Sequence, residues 1–254
     1  MRRLAAGLAL LLCGLPLAAS ETIVAGLSQN RVAITAQYDG SEILVYGAVR
    51  RDTPPPTGHR LEVIVTVEGP TTPLVIRRKE RTAGIWINAA SVTIDAAPSF
   101  YAVATTGPLE DILSATEDLR HRITLSNAIR AIGISAEAAD SPEFVAALER
   151  IRMAEDSYRL SEGSVSLVEQ TLFRTDVVLP SNLTEGDYRV RLFLTRGGKV
   201  IDKQERLINV RKAGIEQFLY NTAHDQPLLY GLASLLLAVV AGWAASAGFR
   251  LLRR

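Results

Sequence analysis

The sequence predicts a mainly β protein: an immunoglobulin-like β-sandwich ectodomain with a helical insertion, plus one C-terminal transmembrane helix. Three observations predict it. Apolar and polar residues alternate with a period of two in two separated stretches, the pattern of half-buried strands. Between those stretches apolar residues recur at three and four, the spacing of a helix face. Finally, Leu228 to Phe249 is a 22-residue run without a charge, followed at once by Arg250, Arg253 and Arg254. At ~1.5 Å per helical residue such a run crosses a hydrocarbon core ~30 Å thick.

Residues 1–20 have the layout of a secretory signal peptide. Arg2 and Arg3 precede an apolar run, and Ala18-Ala19-Ser20 supplies small residues before Glu21. Cys13 is the single cysteine and lies in that segment. Disulfides and thiolate chemistry are therefore not expected in the mature chain.

Residues 21–106 form the first part of the predicted sandwich. Val32, Ile34, Ala36 and Tyr38 alternate with Arg31, Thr35 and Gln37; Leu61, Val63, Val65 and Val67 alternate with Glu62, Thr66 and Glu68. Each set places an apolar face inward and a polar face outward. Ile43 to Val49 is apolar on both faces, as in a central strand. Short strands are expected at Leu74–Arg78, Ile85–Ile87, Val92–Ile94 and Phe100–Thr105, with Trp86 buried or partly buried in the sandwich and an exposed anchor as the alternative.

Residues 107–160 form the helical insertion. Helices are expected at Leu109–Leu119 and Thr124–Ile132, and a longer one opens at Ser141-Pro142, an N-cap followed by a favoured first helical residue. Phe144, Leu148, Ile151 and Tyr158 would make its apolar stripe.

Residues 161–212 return to strands. Tyr188, Val190, Leu192 and Leu194 alternate with Arg189, Arg191 and Thr195, and Gly197-Gly198 fits a two-residue hairpin whose turn requires positive φ. The return strand carries Asp202, Lys203, Gln204, Glu205 and Arg206, which suits a sheet edge. Gly186-Asp187-Tyr188 resembles the tyrosine corner of immunoglobulin-like sandwiches. This tail is expected to complete the sheets begun before the helices; two separate β-domains are the alternative. Residues 213–227 are a membrane-proximal linker, 228–249 the span and 250–254 a cytoplasmic tail.

Setting aside the five arginines of the two ends leaves 23 basic against 27 acidic residues, a net charge of −4. No nucleic-acid partner is expected from that balance. The tail arginines follow the positive-inside rule and favour a cytoplasmic C-terminus, with the bilayer as the expected partner of the span.

His59, His121 and His224 do not pair at ligand spacing, and no nucleophile elbow or phosphate loop occurs. Glu110-Asp111 and Glu117-Asp118 read as solvated helix faces. No catalytic, cofactor-binding or metal-binding set is therefore expected, and no enzyme activity. Two candidate contact sets remain. Arg77, Arg78 and Lys79 form a dense basic cluster suited to an anion or a partner; Arg77, Lys79 and Arg81 share one side of an extended chain. Gly231, Ser234, Ala238, Ala241, Gly242 and Ala245 form a small-residue stripe along the span, which lets helix backbones approach in lipid.

Several blocks together resemble an alphaproteobacterial family of transmembrane proteins. They are Gly69-Pro70, Arg77-Arg78-Lys79 with Gly84-Ile85-Trp86-Ile87-Asn88, Pro98-Ser99-Phe100-Tyr101, Thr171-Leu172-Phe173-Arg174, and Leu179-Pro180 with Gly186-Asp187-Tyr188. Near the end come Leu229-Tyr230-Gly231-Leu232 and Gly242-Trp243-Ala244. The resemblance implies a signal peptide, an envelope-facing domain, one C-terminal span in the bacterial inner membrane and no assigned catalytic residues. It also implies a multi-span permease similar to sulfite exporters as a partner. The expected function is a non-catalytic accessory or interaction subunit. The rival is a membrane-anchored periplasmic sensor or carrier of an anion such as a sulfur oxyanion. A C-terminal sorting signal is a further alternative, although His224-Asp225-Gln226-Pro227 stands where its usual entry motif would be.

Overall fold

The computed structural model describes residues 21–35, 38–51, 54, 58–129, 141–213 and 222–252. The signal segment 1–20, Ala36, Gln37, Ile132, Arg253 and Arg254 lie outside the described residues. Among the described residues the architecture is mainly β, with three sheets and one C-terminal apolar helix.

The first sheet has the order β1 (Glu21–Leu27), β3 (Ser41–Arg51), β10 (Leu172–Leu179), β9 (Ser166–Val168), all antiparallel. The second has the order β2 (Arg31–Ile34), β12 (Lys199–Lys212), β11 (Gly186–Arg196), β4 (Leu61–Glu68), β7 (Tyr101–Thr105), β8 (Tyr158–Ser161). Its outer pairs, β2 with β12 and β7 with β8, are parallel, and its inner pairs are antiparallel. Strands before and after the helices thus share both sheets: β10 pairs with β3, and β11 with β4.

The two sheets enclose one apolar core. Val45, Phe173 and Leu179 meet Val65, Leu192 and Ile208 there, all at most 3% exposed. Alternation produces this: β10 buries every second residue from Phe173 to Leu179 and exposes the others. Phe173 lies directly opposite Gly47, and a Cβ on that glycine would sit 2.5 Å from the ring. The bare backbone makes room for the aromatic side chain. The Gly197-Gly198 turn has φ of +56° and +77°, the positive values its two-residue hairpin needs.

The outer face of the second sheet carries a second core. Ile64, Tyr101, Val103 and Phe193 pack there against Leu109, Ile112, Ile123 and Leu148. The helices involved are α1 (Leu109–Ile112), α2 (Ala115–His121), α3 (Leu125–Ala128) and α4 (Ser141–Ala154). Several expectations are corrected here. The polar face of β4 is not open to water, because Thr66 is fully buried beneath the helices. The helix expected over Leu109–Leu119 breaks at Leu113, which is extended; Ser114 then caps the next helix, its hydroxyl accepting from the Glu117 amide at 3.4 Å. Of the expected α4 stripe, Phe144 and Leu148 are buried and Ile151 is half exposed. Tyr158 belongs to β8, where it is buried beside Tyr101.

A further correction concerns residues 71–98. The short strands expected there are one long hairpin, β5 (Thr71–Thr82) with β6 (Ile85–Pro98), paired among the described residues only to each other. Its base packs on the second core through Ile94 and Ala97, while its tip is exposed.

The charged strand β12 is open along Lys199–Leu207, since β2 covers only Asn209–Lys212. Its side chains reach over to the first sheet. Asp202 accepts the Ile23 amide at 2.7 Å, Gln204 accepts the Ala25 amide at 2.9 Å, and Arg206 donates to the Ala25 carbonyl at 3.2 Å. These contacts occupy the free backbone groups of edge strand β1, which would otherwise template pairing with other chains. Glu21 adds a clamp between the sheets, with carboxylate oxygens 2.7 Å from both Arg51 and Arg196.

The apolar helix α5 covers Pro227–Leu252 and begins one residue before the expected span. Its segment Pro227–Ser246 has a mean hydropathy of 2.0 and none of it is buried, so it is long and apolar enough to cross a membrane.

Candidate functional site

Three groupings bear on function: the hairpin, the polar cluster between sheet and helices, and the exposed helix. The hairpin holds the basic cluster. Cross-strand pairs share a face of a ribbon. Arg77 stands opposite Ser91, Lys79 opposite Asn88 and Arg81 opposite Trp86, with a bulge at Arg78/Lys79. Arg77, Lys79, Arg81 and Trp86 therefore occupy one face. Arg78 occupies the other, with its guanidinium 3.3 Å from Glu80, 3.5 Å from Glu143 and 5.6 Å from the Phe144 ring centre. The structure brings Arg77 and Lys79 together and uses Arg78 to pin the hairpin to α4. Trp86, expected wholly or partly inside, is 68% exposed, as its alternative reading of an exposed anchor has it. The Ala83-Gly84 turn places Ile85-Trp86-Ile87 at the tip, beyond reach of either core.

The polar cluster centres on Arg191, a residue the alternation placed on a wet face. It is 9% exposed. Its Nε donates to Thr66 at 3.2 Å, one terminal nitrogen to the His121 carbonyl at 2.7 Å, and the other to Tyr101 Oη at 2.9 Å and the Arg122 carbonyl at 3.0 Å. The two carbonyls close α2, where the helix dipole favours a cation. The guanidinium also lies 5.4 Å from the Phe193 ring centre. Tyr101 Oη donates to the Ile123 carbonyl at 2.9 Å, and burial pushes its phenol up to about 12.

Glu117 and Asp118, expected on a solvated face, are both 8% exposed. Asp118 accepts from the Ile123 amide, the Thr124 amide and hydroxyl, and Asn127 at 2.8–3.0 Å. It thus organises the start of α3. Glu117 takes Arg120 at 2.8 Å and lies 3.4 Å from His121 Nε2. Both carboxylates serve the fold.

The His121 ring packs against Phe193, with centroids 5.5 Å apart and planes tilted by 58°. Burial lowers its pKa; Glu117 opposes that, and Lys203 and Arg120 add to it. The unfolded chain therefore takes up the proton first as pH falls. Stability from the neutral ring is complete above the ordinary value near 6.5 and is lost as pH drops through the folded value. His121→Gln is expected to flatten the decline of melting temperature between neutral pH and pH ~5. An unchanged slope would remove His121 as its source. His59 lies in an exposed loop, and His224 precedes α5; the three histidines remain apart.

A cleft of about 760 Å³ opens beside Arg51, Arg60, Glu62, Asp111 and Glu169. Several of its charges are already used: Arg51 holds Glu21 and the Gln170 carbonyl, and Glu62 accepts the Thr106 hydroxyl. Among the described residues no group of three histidine, cysteine or carboxylate side chains could hold a metal.

On the helix, Gly231, Ser234, Ala238, Ala241, Gly242 and Ala245 lie within an arc of about 100° at 3.6 residues per turn. A Cβ at Gly231 or Gly242 would meet nothing within 4 Å. Ser234 donates back to the Tyr230 carbonyl at 2.8 Å, so its hydroxyl is satisfied within the helix.

No curated protein matches this sequence. Among solved structures, the sporulation control protein Spo0M from Bacillus subtilis shares 9% identity at a TM-score of 0.28, over 81% of this chain and 55% of that one. This chain thus spans about half the length of Spo0M. A family model described as "Putative transmembrane protein" (Alph_Pro_TM) matches residues 22–251, nearly the whole of both β segments, the helices between them and the apolar helix. The chain belongs to that transmembrane protein family.

Proposed function

We propose that this protein is a single-pass inner-membrane accessory subunit that works by binding rather than catalysis. Its β-rich domain is periplasmic and immunoglobulin-like, and its partner is a multi-span permease of the sulfite-exporter type. The observation that carries this reading is the helix Pro227–Ser246, which buries nothing on its own domain. One side of it consists of small residues, which favour close approach of another helix in lipid. A single helix offers no transport path, so a role in transport requires a multi-span partner.

Other features support the finer parts. The strand orders β1-β3-β10-β9 and β2-β12-β11-β4-β7 correspond to the two sheets of a variable-type sandwich. Tyr188 Oη donates to the Thr184 carbonyl at 2.9 Å, the bond of a tyrosine corner. The signal-like residues 1–20 and the arginines after the span support a periplasmic domain and a cytoplasmic C-terminus.

The test is in-cell crosslinking followed by purification in mild detergent. The parent chain is expected to carry a crosslinked multi-span protein. Ala238→Leu with Gly242→Leu is expected to abolish that species while leaving membrane insertion intact. A monomer recovered from both overturns the proposal. The second reading, a sensor or carrier of a sulfur oxyanion, draws on Arg77 and Lys79 sharing a face; Arg78 would contribute only after release from Glu80 and Glu143.

A further inference from the structure

We propose that the β5–β6 hairpin is a second membrane contact, whose tip enters the headgroup region of an anionic bilayer. This does not depend on whether the transmembrane helix has a partner.

The first observation is composition. Ile85, Trp86 and Ile87 are 65%, 68% and 41% exposed at the end of a projecting ribbon. Large apolar side chains gathered on a protruding element mark an interaction surface. Among the described residues, Arg77, Lys79 and Arg81 on the Trp86 face form no ion pair with a carboxylate. Aromatic rings favour the membrane interface, long basic side chains keep their charge at headgroup level, and each adds attraction to anionic lipid. The ribbon combines all three in one place.

The second observation is position. Glu68 of β4 stands opposite Arg189, and Asp187 and Gly186 stand opposite Asn209 and Val210 near the end of β12. The hairpin begins three residues after Glu68, at Thr71, and the intervening Pro70 lies against Gly186. Its base is therefore at the end of the sandwich from which the chain continues to the apolar helix. Beyond Arg78, which is held on α4, β5 runs on from Lys79 to Thr82 before the turn. The 14 residue steps from Ala213 to Pro227 reach at most about 50 Å. The linker thus keeps this end of the sandwich within about 50 Å of the bilayer that holds the helix. That tether supplies a high effective concentration, so a weak contact is sufficient.

The chain has two tryptophans, so Trp243→Phe leaves Trp86 as the sole tryptophan, excited selectively at the red edge where tyrosine does not absorb. This full-length variant is reconstituted into vesicles of phosphatidylcholine with or without phosphatidylglycerol, each containing brominated lipid. Insertion orientation is immaterial, because the domain faces a bilayer surface either way. Blue-shifted Trp86 emission and strong bromine quenching are expected in the anionic vesicles. Replacing Arg77, Lys79 and Arg81 by glutamate is expected to reverse both, each lost cation weakening the contact about fivefold. Circular dichroism checks that the variant stays folded. Three results overturn the proposal. One is unquenched, water-like Trp86 in anionic vesicles. Another is the same shift produced by free sulfite or phosphate in detergent, which would indicate a soluble-anion site. The last is a shift that tracks protein concentration rather than lipid, which would indicate contact between copies.

Discussion

Replacing Arg191 by alanine is expected to destabilise the domain by about 3 kcal/mol or more, against a typical total of 5–15 kcal/mol. Arg191 is the only cation among the described residues that is both buried below a tenth exposure and aimed at helix carbonyls. Its removal strips partners from Thr66, Tyr101 and the two carbonyls that close α2. Hydrogen bonds to a charged group are worth about 1.5–3 kcal/mol each, though not additively. Arg191→Lys is expected to recover only part of the loss, because an ammonium cannot reproduce the planar fork. Thermal and urea unfolding of the full chain in detergent, followed by circular dichroism, measures both. A loss below about 1 kcal/mol for the alanine variant would mean that water substitutes for the guanidinium, and that helix docking does not depend on it.

Phe193→Ala is expected to cost about 3–5 kcal/mol, the range for truncating a buried phenylalanine. The ring is fully buried on the helix side of β11 and sits between Arg191 and His121. Its loss leaves a cavity whose walls belong to different elements: Ile64 and Tyr101 from the sheet, Ile112 and Ile123 from the helices. Rigid sheet geometry limits collapse, which puts the effect toward the upper end. Because Arg191 and Phe193 touch, the double variant is expected to lose less than the sum of the two single losses, with a coupling of about 0.5–3 kcal/mol. Strict additivity would separate the polar staple from the apolar packing.

These two residues also show how far the sequence could be read. Along β11 the alternation correctly directed Tyr188, Val190, Leu192 and Leu194 into the inter-sheet core. It assigned Arg191 and Thr195 to water, yet both are buried. A period of two says which residues share a face, not what covers that face. The signal was present in Leu192-Phe193-Leu194, an unbroken apolar triplet of the kind read as central in Ile43–Val49. Asp118 is a similar case: two adjacent carboxylates look solvated until the loop that one of them organises is known. The hairpin tip reverses the error. Ile85-Trp86-Ile87 has the composition of a core strand, and only pairing over twelve residues with β5 carries it out of the sandwich. The side shared by Arg77, Lys79 and Arg81 was legible, because it follows from strand geometry alone. Arg78's commitment to α4 was not, because Glu143 is distant in sequence and close only in the fold.

The way the sheets interleave early and late strands has a consequence for biogenesis. Val32 waits for Val210, made 178 residues after it, and Gly47 waits for Phe173. Neither sheet can be finished from the N-terminal half, so a nascent chain pairs β1 with β3 and β4 with β7 but holds β2 unmatched until β12 appears. That strand ends 15 residues before Pro227. Maturation of the head and delivery of the anchor therefore fall close together in time. A ribosome stalled before β12 is complete would leave a sticky, protease-sensitive fragment rather than a half-built domain.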